Sequence, residues 1–158
     1  MPTLVLLRHT KAEQHRTDDH SRSLAPRGRA DALAVQAWLR DRGIRPDRVV
    51  VSTAQRARET WELADPGGAE AVYDERVYEA ATPALLEVIA DTPDEVATLA
   101  LVGHNPGLER LAWELDDSDQ AREVTDRGLS TGAVAVFTVT RWSDLTGARL
   151  EEVAVPRG

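Results

Sequence analysis

Short runs of apolar residues recur along the chain and predict the strands of a buried sheet. Leu4–Leu7, Val49–Val51 and Val96–Val102 show little alternation with polar residues, which is typical of strands buried on both faces of a parallel sheet. Two later runs, Ala133–Val139 and Leu150–Val155, predict a final pair of strands. Apolar residues at helical spacing separate most of these runs and indicate helices between the strands.

The first predicted helix begins at Pro26, because proline suits the first helical turn, and ends at Gly43. Its predicted buried face follows the spacing i, i+3, i+4, i+7 and i+8 and comprises Ala30, Leu33, Ala34, Ala37 and Trp38. The polar residues 12–23, which precede this helix, are expected to form a loop.

Three further helices are predicted in the same way. The first begins near Ala54, and its apolar residues are Ala57, Trp61 and Ala64. The second has Thr82 as its N-cap and Pro83 at its first position, with a buried face of Leu85, Leu86 and Ile89. The third opens at Asn105-Pro106 and turns inward Leu108, Leu111, Ala112 and Leu115.

Strands that alternate with helices predict an α/β fold in which helices cover both faces of a mostly parallel sheet, a three-layer α/β/α arrangement. The final pair of strands would add an antiparallel edge. A short strand is expected near Val72, and the charged residues 116–128 would form a loop or a surface helix. We find neither an internal repeat nor a linker, so residues 1–158 are expected to form one domain.

The charge of the chain restricts its binding partners. The net charge is −8, from 27 acidic and 19 basic residues, which disfavours nucleic acids and anionic membranes as partners. Eighteen of the basic residues are Arg, and Lys11 is the single Lys. We expect a base-composition bias of the source genome to be the main cause of this excess. Arginine is also the side chain that binds tetrahedral oxyanions with a fork of donors.

Cysteine is absent from the sequence, so disulfides, thiolate nucleophiles and Cys-based zinc sites are excluded. The N-terminal apolar run is too short for a signal peptide, and no run reaches transmembrane length. A soluble cytoplasmic protein is therefore expected.

Polar residues with chemical potential follow three of the predicted strands. Arg8 and His9 follow the first strand, Ser52–Arg56 follows the second, and Gly103–Gly107, which contains His104, follows the third. Ligands of open α/β sheets bind at the carboxyl ends of the strands. We therefore expect two histidines and two arginines to meet at one edge of the sheet.

This combination of side chains favours phosphoryl transfer through histidine. A neutral imidazole is a good nucleophile when a backbone carbonyl fixes its tautomer. Arg8 and Arg56 would bind the phosphoryl oxygens, and His104 would add a donor and, when protonated, a favourable charge. The helix that follows Asn105-Pro106 would favour an anion at its N-terminus. Each of these features alone is also compatible with an ordinary turn or a surface arginine. Their joint occurrence at three strand ends is what favours a functional site.

The sequence resembles the histidine phosphatase superfamily, which has the phosphoglycerate mutase-like fold. The resemblance lies in the motifs Leu7-Arg8-His9-Thr10, Ser52-Thr53-Ala54-Gln55-Arg56-Ala57-Arg58-Glu59-Thr60 and Val102-Gly103-His104-Asn105-Pro106-Gly107. Small size and the segments Asp19–Leu24 with Arg27-Gly28, Val77–Ala80 and Ser130–Ala133 are similar to the SixA-type phosphohistidine phosphatases.

This resemblance implies that His9 is the nucleophile and forms a phosphohistidine. Arg8, Arg56 and His104 would then bind the phosphoryl group, and no metal or organic cofactor is expected. The chain departs from the family at Thr10, where many members have Gly. Thr10 is expected either to add a hydroxyl donor or to narrow the pocket. Ala25 replaces the usual Thr cap of the first helix, at a cost of ~1 kcal/mol.

The general acid is the least defined group of the predicted site. Glu79 lies in the region of the chain where larger members carry a carboxylic acid, and a solvated surface Glu is an equal alternative. Asp18 and Asp19 are lesser candidates. Lys11 would either approach the phosphate or remain a solvated surface Lys.

The loop residues His15, His20, Asp18 and Asp19 have two interpretations, a metal site or a polar lid over the pocket. Their spacing does not follow a known metal-binding pattern, so the sequence favours the polar lid.

We therefore expect a phosphatase that hydrolyses protein phosphohistidine. A small-molecule phosphomonoesterase is the alternative, and a non-catalytic phosphoprotein-binding module is a third hypothesis. The partner would be a phosphorylated protein or small molecule, and the protein is expected to be a monomer.

Overall fold

The computed structural model of the protein describes residues 1–14 and 18–158. In these residues there are six strands: β1 Thr3–Arg8, β2 Arg48–Ser52, β3 Ala71–Asp74, β4 Thr98–Gly103, β5 Val134–Thr138 and β6 Arg149–Ala154. The helices are α1 Pro26–Asp41, α2 Gln55–Ala64, α3 Thr82–Ala90, α4 Gly107–Leu115 and α5 Asp119–Thr125, with a 3-10 turn at Glu75–Val77.

The strands form one sheet in the order β3-β2-β4-β1-β5-β6. Strands β3, β2, β4 and β1 are parallel to one another, whereas β5 pairs antiparallel with both β1 and β6. The predicted α/β fold with a mostly parallel sheet and an antiparallel edge is confirmed.

Successive residues of each central strand contribute to two different hydrophobic cores, as the alternation of side chains across a sheet requires. Leu4, Leu6 and Leu101 face a core that contains Leu85, Ile89, Leu108 and Leu111 of α3 and α4. Val5, Leu7 and Val102 face the other core, with Val35, Leu39, Ala57 and Trp61 of α1 and α2. Helices therefore cover both faces of the sheet, and the three-layer arrangement is confirmed.

The predicted buried face of α1 is wrong. Its buried residues are Gly28, Asp31, Ala32, Val35 and Leu39, whereas Leu33 is 50% exposed. Two apolar stripes overlap on this helix, and a close backbone approach selects between them. A Cβ at Gly28 would collide with the carbonyl oxygen of Lys11, so the face that carries this glycine turns toward the sheet.

The starts of α3 and α4 differ from the prediction by one or two residues, within the usual uncertainty of helix ends. Ala81 is the N-cap of α3, so Thr82 is the first helical residue rather than the cap. Leu86, which was predicted to be buried, is 39% exposed, and Val88 is buried instead. Helix α4 begins at Gly107, directly after the cis peptide bond between Asn105 and Pro106.

The structure settles two segments that the sequence left open: one was placed only approximately, and the other was either a loop or a helix. The strand expected near Val72 is β3, and it pairs with β2 at the edge of the sheet. Residues 119–125 form the short surface helix α5, whose N-cap Ser118 accepts a hydrogen bond from the backbone N–H of Ala121. None of the helices in the described residues has the length and hydropathy needed to span a bilayer.

Candidate active site

The carboxyl ends of β2, β4 and β1 lie side by side, because these three strands are adjacent and parallel. This arrangement brings His9, directly after β1, next to His104, directly after β4. Their ring centroids are 5.1 Å apart, and both side chains are buried. Arg8 and Arg56 lie close enough to act electrostatically on both rings. The structure thus gathers four of the residues that the sequence predicted.

One tautomer of His9 is fixed by the backbone. Its Nδ1 atom lies 2.7 Å from the carbonyl oxygen of Thr10. A carbonyl can only accept a hydrogen bond, so Nδ1 carries the proton and Nε2 keeps its lone pair. Burial lowers the pKa of His9 to about 4, and the positive charges of Arg56 and Arg8 act in the same direction. His9 is therefore a neutral imidazole at neutral pH, as a nucleophile must be.

The backbone beside His9 is held by Thr60 of α2. The Thr60 hydroxyl donates to the carbonyl oxygen of Arg56 at 2.7 Å and accepts from the backbone N–H of Thr10 at 3.1 Å. The Thr10 hydroxyl lies 3.2 Å from the same oxygen and must donate to it, since the single proton of Thr60 is already used. Of the two roles expected for Thr10, that of a hydroxyl donor to the site is wrong, because this hydroxyl points to α2. Narrowing of the pocket stays a prediction.

A glycine turn supports the same backbone from the other side. The N–H of Gly132 donates to the carbonyl oxygens of both Arg8 and His9, each at 3.0 Å. The φ of Gly132 is +77°, a conformation that glycine adopts without steric cost. The carbonyl oxygen of Leu129 accepts hydrogen bonds from Arg8 Nη1 at 2.8 Å and from Asn105 Nδ2 at 2.7 Å. One loop therefore fixes the residues that follow both β1 and β4.

His104 is oriented by Ser52 at the end of β2. The His104 Nε2 atom lies 2.7 Å from the Ser52 hydroxyl oxygen, which also accepts from the backbone N–H of Ala54. Burial, followed by the neighbouring His9 and Arg56, lowers the pKa of His104 to about 3. The expected contribution of a protonated, charged His104 is thus not available at neutral pH. A neutral ring can still donate one hydrogen bond, provided that the Ser52 hydroxyl donates to Nε2 and leaves the proton on Nδ1.

Arg56 is paired with Asp19, a contact that the sequence did not predict. Arg56 Nη1 donates to the backbone carbonyl of Asp19 at 2.8 Å, and Nη2 donates to its carboxylate Oδ2 at 3.1 Å. The hydroxyl of Tyr78 donates to the same Oδ2 atom at 2.7 Å. The Tyr78 hydrogen bond and the charge of Arg56 lower the pKa of Asp19 to about 2, so its carboxyl group is ionised at neutral pH.

Aromatic rings line one wall of the site. The Tyr78 ring lies edge-on to both His104 and His20, with centroid distances of 5.6 and 4.9 Å. His20 Nε2 lies 3.0 Å from the Thr53 hydroxyl oxygen. Sequence reasoning assigned no role to Tyr78 or Ser52. The available signal was their position inside motifs that resemble the superfamily.

The remaining candidates are exposed or lie outside the described residues. Glu79 is exposed, has a φ of +53° and makes no hydrogen bond or ion pair with the residues that the structure describes. Its role as general acid stays a prediction. The Lys11 side chain is also exposed, as the solvated alternative requires.

The described residues do not form the metal site that was the alternative for the loop before α1. His15 lies outside that range, and residues 1–14 and 18–158 contain no group of three or more His, Asp or Glu side chains suited to a metal ion. The Asp18 carboxylate instead accepts from the Ser21 hydroxyl and from the backbone N–H of His20.

Comparison with known proteins agrees with this geometry. Residues 4–98 match the model of the histidine phosphatase superfamily, branch 1. The chain belongs to the histidine phosphatase superfamily. A superfamily member with this site is a histidine-nucleophile phosphatase, which confirms the predicted enzyme class.

Several proteins are similar to this histidine phosphatase over most of its length. A structure described as a candidate phosphohistidine phosphatase SixA from Nakamurella multipartitia is 34% identical, with a TM-score of 0.89 over 98% of this chain and 96% of that one. A candidate SixA from Agrobacterium tumefaciens is 30% identical, with a TM-score of 0.86 over 98% and 99%. An uncharacterized protein of Mycobacterium tuberculosis is 37% identical over 88% of this chain and 91% of its own length.

Proposed function

We propose that this phosphatase removes the phosphoryl group from phosphohistidine in a protein, through a phosphohistidine intermediate on its own His9. The observation that carries the choice of substrate is the ionised Asp19 carboxylate beside Arg56 and Tyr78. It is the one carboxyl group that the described residues place in hydrogen-bond contact with the predicted phosphate-binding groups, and it holds no proton to give at neutral pH.

The nucleophilic step follows from the tautomer of His9. With Nδ1–H bound to the Thr10 carbonyl, the Nε2 lone pair attacks phosphorus, and the bond from phosphorus to the leaving group breaks with its electron pair. Water then attacks the phosphorylated His9. The bond between phosphorus and Nε2 breaks, His9 regains its lone pair, and the proton released by the water leaves with the phosphate or passes to solvent.

The phosphoryl oxygens require donors that are already in place before the reaction. We assign this role to Arg8, Arg56 and His104. The backbone contacts of Leu129 and Asp19 orient the two guanidinium groups, and Ser52 orients the imidazole of His104. Arg56 and His104 are buried and Arg8 is partly buried. Their interaction with a doubly charged phosphoryl group is stronger for that reason, because water screens it less.

The leaving group distinguishes the candidate substrates. An alcohol leaves as an alkoxide unless an acid protonates it, and a general acid typically contributes 10²–10⁴-fold to such a reaction. A phosphorylated imidazole whose second ring nitrogen is protonated leaves as a neutral ring without further help. Because the Asp19 carboxylate is ionised, it cannot protonate an alkoxide. The pocket therefore suits an N-phosphate better than an alkyl phosphate. The two SixA relatives, described as candidate phosphohistidine phosphatases, support the same choice.

A substrate panel tests this proposal. We would compare kcat/KM for a phosphohistidine-containing protein, a phosphoserine peptide and a sugar phosphate, each with wild-type enzyme and with His9→Ala. The proposal predicts at least a tenfold preference for phosphohistidine and no turnover by the variant. A preference for the sugar phosphate would instead establish the alternative, a small-molecule phosphomonoesterase. Binding of phosphoprotein with no turnover of any substrate would establish the non-catalytic module. It stays a prediction that residues 1–158 form one domain and that the protein is a monomer.

A further inference from the structure

We infer that Asp19 is a specificity-determining residue, which favours leaving groups that carry positive charge and disfavours those that become negative. This inference rests on the proposed function. It gives the Asp19 side chain a role other than the proton donor, the metal ligand or the polar lid that the sequence allowed.

The position of Asp19 is fixed by several hydrogen bonds. Its Oδ2 atom accepts from Tyr78 and Arg56, its Oδ1 atom accepts from Arg22 Nε at 3.0 Å, and its backbone carbonyl accepts from Arg56 Nη1. A side chain held by three others is not an ordinary loop carboxylate that moves freely in solvent. The fixed negative charge adjoins Arg56 and the Tyr78 ring that faces His104.

The electrostatic consequence differs between two classes of substrate. The imidazolium ring of a protonated N-phosphate is attracted to a nearby carboxylate, which favours the protonated form that can leave as a neutral ring. A phenolate that departs from an aryl phosphate develops negative charge and is repelled by the same carboxylate. Free inorganic phosphate must also share Arg56 with Asp19, so the carboxylate weakens product binding.

The matched variants are Asp19→Asn and Asp18→Asn. The first removes the charge and keeps an oxygen that can accept from Tyr78. The second removes a neighbouring charge whose contacts are with Ser21 and the His20 backbone, outside the phosphate-binding groups. We would measure kcat/KM for phosphoimidazole and for p-nitrophenyl phosphate, together with the inhibition constant of inorganic phosphate.

For Asp19→Asn we expect the ratio of phosphoimidazole to aryl phosphate turnover to fall at least tenfold, and phosphate to bind several-fold tighter. Asp18→Asn should leave both quantities within twofold of wild type. A merely structural role of Asp19 would slow both substrates equally and leave the ratio unchanged. An unchanged ratio, or an equal fall in Asp18→Asn, would overturn the inference.

Two further measurements keep the outcome unambiguous. If Asp19→Asn does not fold, Asp19→Ser removes the same charge with a smaller side chain and should produce the same fall in the ratio. Tyr78→Phe keeps the carboxylate and its ion pair with Arg56, so its ratio should stay well above that of Asp19→Asn. Failure of the wild-type enzyme to hydrolyse any N-phosphate would contradict the proposed function itself, whereas wild-type activity with an unchanged Asp19→Asn ratio contradicts only the role of Asp19.

Discussion

The Nδ1 atom of His9 lies 2.7 Å from the carbonyl oxygen of Thr10. This contact sets the protonation of the ring, because the carbonyl requires a donor and so directs the lone pair to Nε2. Burial then keeps the ring neutral well below the ordinary pKa of histidine. A buried neutral histidine lowers stability in acid, and this effect can be measured.

The free energy of unfolding should fall as the pH is lowered from 7 to 4.5. The unfolded chain protonates His9 near its ordinary pKa of 6.5, whereas the folded protein does so only near 4. The unfolded state therefore binds more protons throughout this window, and stability rises with pH there. Wild type should lose roughly 2–3 kcal/mol more than His9→Ala between pH 7 and pH 4.5. Urea denaturation at both pH values measures this difference, and equal losses in the two proteins would contradict the buried neutral state of His9.

Thr60 connects α2 to the backbone beside the nucleophile, so its removal should affect both stability and catalysis. In Thr60→Val the N–H and hydroxyl of Thr10 lose a buried acceptor, which typically costs about 1–3 kcal/mol. We expect a lower melting temperature and at least a tenfold lower kcat. The control is Thr92→Val, because Thr92 is 4% exposed and its hydroxyl has no partner among the described residues. An equal loss of activity in both variants would argue against the special role of Thr60.

Glu79 should matter only for poor leaving groups. Glu79 is exposed and directly follows Tyr78, whose ring lies beside His104. We predict that Glu79→Gln slows hydrolysis of an alkyl phosphate at least tenfold and changes phosphohistidine turnover by less than twofold. Glu75→Gln, an exposed neighbour in the 3-10 turn, is the matched control. Equal rates of wild type and Glu79→Gln on all substrates would remove Glu79 from the reaction.

Chelators should leave activity intact. The groups assigned to phosphoryl binding are two arginines and a neutral histidine, and the positive charge of the arginines disfavours a divalent cation between them. Turnover of p-nitrophenyl phosphate should stay within twofold after dialysis against EDTA. A large loss that zinc, magnesium or manganese restores would show that the enzyme uses a metal.

The sequence was sufficient to predict the sheet and the convergence of the three strand ends. Buried parallel strands have a clear apolar pattern, and the position of functional groups at their carboxyl ends is a property of the fold. The two histidines and two arginines could therefore be placed together without any structure.

Contacts between distant segments could not be predicted in this way. The buried face of α1 depends on how closely Gly28 approaches Lys11, and the same helix carries a second apolar stripe that fits the periodicity equally well. The pairing of Asp19 with Arg56 and Tyr78 joins three segments that no local pattern connects. The direction of the Thr10 hydroxyl likewise depends on Thr60, fifty residues away.

The most direct test is to identify the phosphorylated residue of the enzyme during turnover. A rapid mixture of enzyme with a phosphohistidine protein, quenched in base and analysed by mass spectrometry, should show one phosphoryl group on His9. The same experiment with His9→Ala should show no phosphoenzyme and no released phosphate. Phosphorylation of another residue, or wild-type turnover by His9→Ala, would contradict the assignment of His9 as the nucleophile.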